Sequence, residues 1–136
     1  MLKLLIAMAV LLAVGVFAAR RARARSSAPA DPGDADRQVL DALRSNGADL
    51  RKSTEMLFYL YLPDRAEAEI VAAALREEGF GADVAPPTHG YTMWLCRATT
   101  GMVPELGRIR ELRRRFTGLA AAHGGEYDGW EAAVTK

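Results

Sequence analysis

Residues 55–62, EMLFYLYL, are rich in aromatic and aliphatic types, and at the two-residue period of an extended chain Met56, Phe58, Leu60 and Leu62 fall on one wholly apolar face. Glu55, Leu57, Tyr59 and Tyr61 make the other face amphipathic. The pattern predicts a well-buried strand, ended by Pro63, whose wholly apolar face meets helices. The period then changes. Asp64 and Glu67 have capping-box spacing, and Ala66, Ile70, Val71, Ala74 and Leu75 repeat at helical intervals as far as Gly79. A weaker strand at residues 80–85, a turn at 86–90 containing Pro86 and Pro87, and a stronger strand at 91–98 read as a hairpin. Pro104 suits the first turn of a second long helix, with Leu106, Ile109, Leu112, Phe116, Leu119 and Ala120 on one face and a stop at Gly124. Residues 126–134 close the chain as a last strand, and residues 36–46, with Val39, Leu40 and Leu43 on one face, form a lead-in helix.

The order after the lead-in helix is β-α-β-β-α-β. This is the split βαβ, ferredoxin-like arrangement of the α+β class. In it the first and third strands lie centrally and the second and fourth at the edges, so the two most apolar runs take the centre.

The first 25 residues are of a different kind. One lysine, Lys3, precedes an uncharged apolar run over residues 4–19, and Arg20, Arg21, Arg23 and Arg25 follow it. A helix over that run spans about 24 Å, short of the roughly 30 Å hydrocarbon core, and snorkelling by Lys3 and Arg20 closes the gap. A secretory signal with a cleavage site at Val16-Phe17-Ala18 is the rival reading. Four arginines directly behind the run resist export and hold that flank in the cytoplasm. The expectation is a single-pass membrane anchor with its basic flank at residues 1–25, a flexible Pro- and Asp-containing linker at 26–35, and a cytoplasmic domain at 36–136.

Charge narrows the chemistry. The +3 excess of residues 1–35 leaves 13 basic against 15 acidic side chains in the domain, so the basic surplus that advertises nucleic-acid binding is missing. Cys96, the sole cysteine, rules out an internal disulfide and cysteine-rich metal sites, and its strand neighbours make it a buried, inert thiol. His89 and His123 have no ligating residues at metal spacing, and no acid, base and nucleophile set or phosphate-binding glycine loop can be assembled. Neither catalysis nor a cofactor or metal is expected. The arginines at 108, 110, 113, 114 and 115 spread around the polar arc of the last helix and read as a solvated face.

The closing stretch GGEYDGWE is dense in glycine and aromatic residues. Tyr127 and Trp130, three apart, face opposite ways in a regular strand, but a bulge at Asp128-Gly129 brings them to one face. The segment then either closes the core with a ring or offers its edge to a partner. Tyr59 and Tyr61 occupy the open sheet face, where an RNA recognition motif stacks bases. That motif's sequence is absent, and Leu57 beside the tyrosines suits apolar contact better. The candidate partner-binding residues are Tyr127, Asp128, Gly129, Trp130, Tyr59 and Tyr61.

The segments EMLFYLYLPDRAEAEIVAAALREEGFGADV and LAAAHGGEYDGWE together resemble the regulator of ribonuclease activity B family, with Tyr-Asp-Gly-Trp as the most specific run. The resemblance spans residues 36–134 in element order. It implies a small bacterial ferredoxin-like protein that binds the endoribonuclease ribonuclease E and inhibits RNA cleavage by contact, a protein-binding regulator and not an enzyme. The apolar N-terminal segment and the nearly neutral domain depart from the soluble, strongly acidic members. A small-molecule sensor, with ligands held between paired sheets of a dimer, and a membrane-tethered adaptor are the alternatives.

Overall fold

The computed structural model describes residues 32–136, which form three helices and four strands. In chain order these are α1 (Pro32–Ser45), β1 (Thr54–Leu62), α2 (Arg65–Glu77), β2 (Gly81–Ala85), β3 (Trp94–Met102), α3 (Leu106–Ala122) and β4 (Glu126–Ala132). The expected membrane segment at residues 4–19 and its arginine flank lie outside the described residues. Among the described residues no helix is long and apolar enough to cross a membrane. Helix α1 starts at Pro32, inside the stretch expected to be linker. A proline is favourable in a first turn, where its missing N–H has no helical partner to lose.

The sheet runs β2-β3-β1-β4 with every neighbour antiparallel, which puts the first and third strands at the centre as their apolar content requires. Met56, Phe58, Leu60 and Leu62 of β1 are fully buried beneath the helices, and Cys96 and Ala98 of β3 join them. Burial pushes the Cys96 thiol up to about 11. Phe116 of α3 ties this layer together. It packs edge-on against Phe58, Phe80 and Tyr127, with ring centroids 5.0, 5.5 and 5.9 Å away.

Two expectations change in detail. The face that α2 buries is Ala68, Val71, Ala72 and Leu75, while Ile70 is half exposed. Two alanines on the inward stripe let the helix axis approach the sheet, and Ile70 and Ala66 rotate outward as a result. Strand β3 begins at Trp94, so Tyr91 lies in the connection, its N–H bonded to the Thr88 carbonyl at 2.9 Å. The partner strand β2 ends at Ala85, and Pro86 and Pro87 behind it have no N–H to extend the ladder. At its other end β3 runs on to Met102 because β1 offers it partners back to Thr54.

Helix α2 begins as its sequence predicts: the Asp64 carboxylate accepts from the Glu67 N–H at 2.8 Å. Glu67 does not complete the capping box. Its carboxylate meets His123 Nδ1 at 2.7 Å, linking the start of α2 to the end of α3. Gly79, at φ 96°, ends α2 with the Phe80 N–H bonded back to the Leu75 carbonyl, the paired bonds of a Schellman stop. At the far end of the chain, Thr135 closes against the α1–β1 connection through its carbonyl to the Asp49 N–H and its hydroxyl to Thr54.

Candidate docking surface

The closing strand decides what the aromatic signature does. β4 pairs with β1 so that Tyr59 faces Gly129 and Leu60 faces Tyr127, and Asp128 is the extra residue of a bulge. Gly129 sits at φ 110°, a conformation that costs a side-chain-bearing residue and that glycine adopts freely. The bulge puts Tyr127 and Trp130 on the same side of the sheet, level with the buried Leu60 and Phe58.

That side is the helix side, and both rings are used within the domain. Trp130 is 5% exposed, and its indole N–H donates to Asp36 Oδ1 at 3.1 Å. The carboxylate of Asp36, fully buried in the first turns of α1, also takes both prongs of the Arg113 guanidinium at 2.7 and 2.8 Å. The same guanidinium lies 5.4 Å from the centre of the Tyr127 ring. Asp36 holds the Arg113 pKa above its ordinary value, and burial raises that of the Tyr127 phenol. Asp36, Arg113, Tyr127 and Trp130 thus clasp the lead-in helix to α3 and the closing strand.

Arg113 corrects the expectation of a wholly solvated arginine arc. It faces α1 because Leu112 and Phe116 turn that side of α3 inward. Of its neighbours, Arg108 pairs with Glu111 at 3.1 Å and Arg115 with Glu78 of α2. Asp36 carried no sequence signal, since an acid early in a helix is ordinary macrodipole complement.

The sheet therefore divides the six candidate residues. Tyr127 and Trp130 are turned inward, Gly129 is buried in the strand and Asp128 stands half-buried at the bulge, while Tyr59 and Tyr61 lie on the opposite face. Helix α1 packs beside α3 and leaves that face to the strands. Leu57, Tyr59 and Tyr61 of β1 and Leu95 of β3 are all half-buried there. Tyr91 folds back from the β2–β3 connection to stack on Tyr61, rings 5.8 Å apart and nearly parallel, and remains 53% exposed. A polar row crosses this apolar strip. Arg97 reaches Asp83 at 3.5 Å on the β2 side, and the Tyr59 hydroxyl donates to Glu131 on the β4 side. Burial first, then the Glu131 carboxylate, raises the Tyr59 pKa. Sequence reasoning missed Glu131 and Tyr91, because strand register and a folded-back loop bring them to the tyrosines.

Among the described residues no cluster of three or more His, Cys, Asp or Glu could hold a metal ion. The face opposite the helices is thus an aliphatic and tyrosine-rich strip crossed by a row of polar and charged groups.

Residues 33–132 match the family described as "Regulator of ribonuclease activity B", and the chain belongs to that family. Its regulators are non-enzymatic inhibitors whose protein partner is ribonuclease E. No curated protein matches the chain closely.

Proposed function

We propose that this domain docks on an endoribonuclease of the ribonuclease E type through the sheet face opposite its helices and slows RNA cleavage by covering or remodelling the enzyme. The observation that carries the reading is the strip of Leu57, Tyr59, Tyr61, Tyr91 and Leu95, gathered from two strands and a connection and, among the described residues, left without a helix over it. Large rings with two rotatable torsions contribute contact area at low entropic cost, which is why they dominate protein interfaces. The family supplies the partner class. The apolar run over residues 4–19 with its arginine flank would hold the domain at the cytoplasmic face of the membrane, where a membrane-associated enzyme would be within reach.

The test uses the full chain and the ribonuclease E type enzyme of the same organism. Binding is measured directly, and cleavage of a defined RNA is followed with and without the regulator. Leu57→Ser and Tyr61→Ala should weaken both binding and inhibition while leaving the fold intact. Unaltered binding in both variants would remove the proposed face, and absence of any binding by the unmodified chain would remove the function.

A further inference from the structure

One group on the sheet face is left incomplete within the domain. Glu131 lies in the edge strand β4 opposite Leu57, yet the residue is only 3% exposed. Its Oε1 accepts the Tyr59 hydroxyl, and its Oε2 is buried with no hydrogen-bond partner among the described residues. Arg97, which would balance the charge, has its guanidinium directed to Asp83 on the far side of the sheet. Strand β4 supplies no cation of its own, since its charged residues are Glu126, Asp128 and Glu131. Burial raises the carboxyl above its ordinary value, against the opposing effects of Tyr59 and Arg97.

Leaving a buried carboxylate oxygen without a donor is costly, and native structures supply a partner to nearly all such atoms. What is missing at this point is a positively charged donor, and with Oε2 buried in the free domain the carboxylate must turn outward to meet one. We infer that Glu131 Oε2 receives a cationic side chain, an arginine guanidinium or a lysine ammonium, from the protein that covers this face. Tyr59 fixes the carboxylate through Oε1, and the Leu57 and Tyr59 side chains provide an apolar wall for the aliphatic stem of the incoming residue. The inference rests on the docking reading and adds the charge of the contact at its centre.

The experiment measures binding of the full chain to the ribonuclease E type enzyme at low and high salt, for the unmodified protein and for Glu131→Gln. Glutamine keeps the acceptor for Tyr59 and removes the charge. The dissociation constant should rise roughly thirtyfold or more in low salt and the salt dependence should flatten. The melting temperature of the free protein should stay level or rise, which separates a contact role from a structural one. Substituting alanine for the cationic residue of the enzyme should weaken binding to the unmodified chain and do little further against Glu131→Gln. Equal affinity for the unmodified and Glu131→Gln proteins, with Leu57→Ser still weakened, would overturn this inference and leave the docking face standing.

Discussion

Replacing Asp36 with alanine tests whether the aromatic signature is a clasp. The substitution removes a carboxylate with no solvent exposure and leaves two donors behind it: the Arg113 guanidinium, whose side chain is 20% exposed, and the Trp130 indole N–H. Breaking a buried ion pair from one side costs about 3–5 kcal/mol, because the remaining charge stays buried without compensation. The orphaned indole N–H adds about 1 kcal/mol or more. In a domain of this size about 1 kcal/mol corresponds to roughly 4–8 °C, so Asp36→Ala should melt some 15 °C or more below the unmodified protein. Urea unfolding followed by tryptophan fluorescence measures the loss, and hydrogen exchange locates it, with amides of α1 and of the Trp130 region losing protection ahead of those in β1. Arg113→Met alone should cost a similar amount, and the pair Asp36→Leu with Arg113→Met should recover most of it, since matched apolar replacement removes both uncompensated charges. A cost below about 1 kcal/mol for Asp36→Ala, or single-site costs that simply add in the double variant, would refute the clasp.

Further outcomes follow from other sites. Gly125→Ala places a Cβ against the Tyr61 carbonyl and the Leu62 side chain, and since backbone cannot yield there the variant should be recovered largely unfolded by circular dichroism. Asp64→Ala removes the acceptor of the Glu67 N–H and should cost about 1 kcal/mol in urea unfolding, whereas Asp64→Asn should cost less. Glu131 has its pKa raised above the ordinary 4.5 in the folded chain. Its contribution is therefore fully present below that value and is lost as pH rises through the folded pKa. Melting temperatures from pH 4 to pH 8 should accordingly fall less steeply for Glu131→Gln than for the unmodified protein. A parallel pair of curves would show that Glu131 does not titrate differently on folding.

The helices, strands and their order were legible in the chain because each signal is local. The apolar face of residues 55–62 needs only the two-residue period of a strand, and the buried face is the one expected. Gly79 and Gly124 end helices through their own backbone freedom, at φ 96° and 76°. At Asp128-Gly129 the sequence offered a bulge beside a regular strand, and the register of β4 on β1 decided for the bulge. Phase on a helix was less secure: Ile70 and Ala66 share a helical stripe with one another as well as Val71 and Leu75 do, and the sheet chose the stripe containing Ala68 and Ala72.

By itself, then, the sequence determined the family, the element order and the central place of the two most apolar strands, all properties of neighbours along the chain. Tertiary structure alone decided that Tyr127 and Trp130 point inward, that Arg113 belongs to a buried pair with Asp36 across 77 positions, and that Glu131 meets Tyr59 across 72. A charged residue looks the same in sequence whether water or a partner from a distant strand surrounds it. Only the packing of α1 against α3 and the register of β4 on β1 tell the two apart.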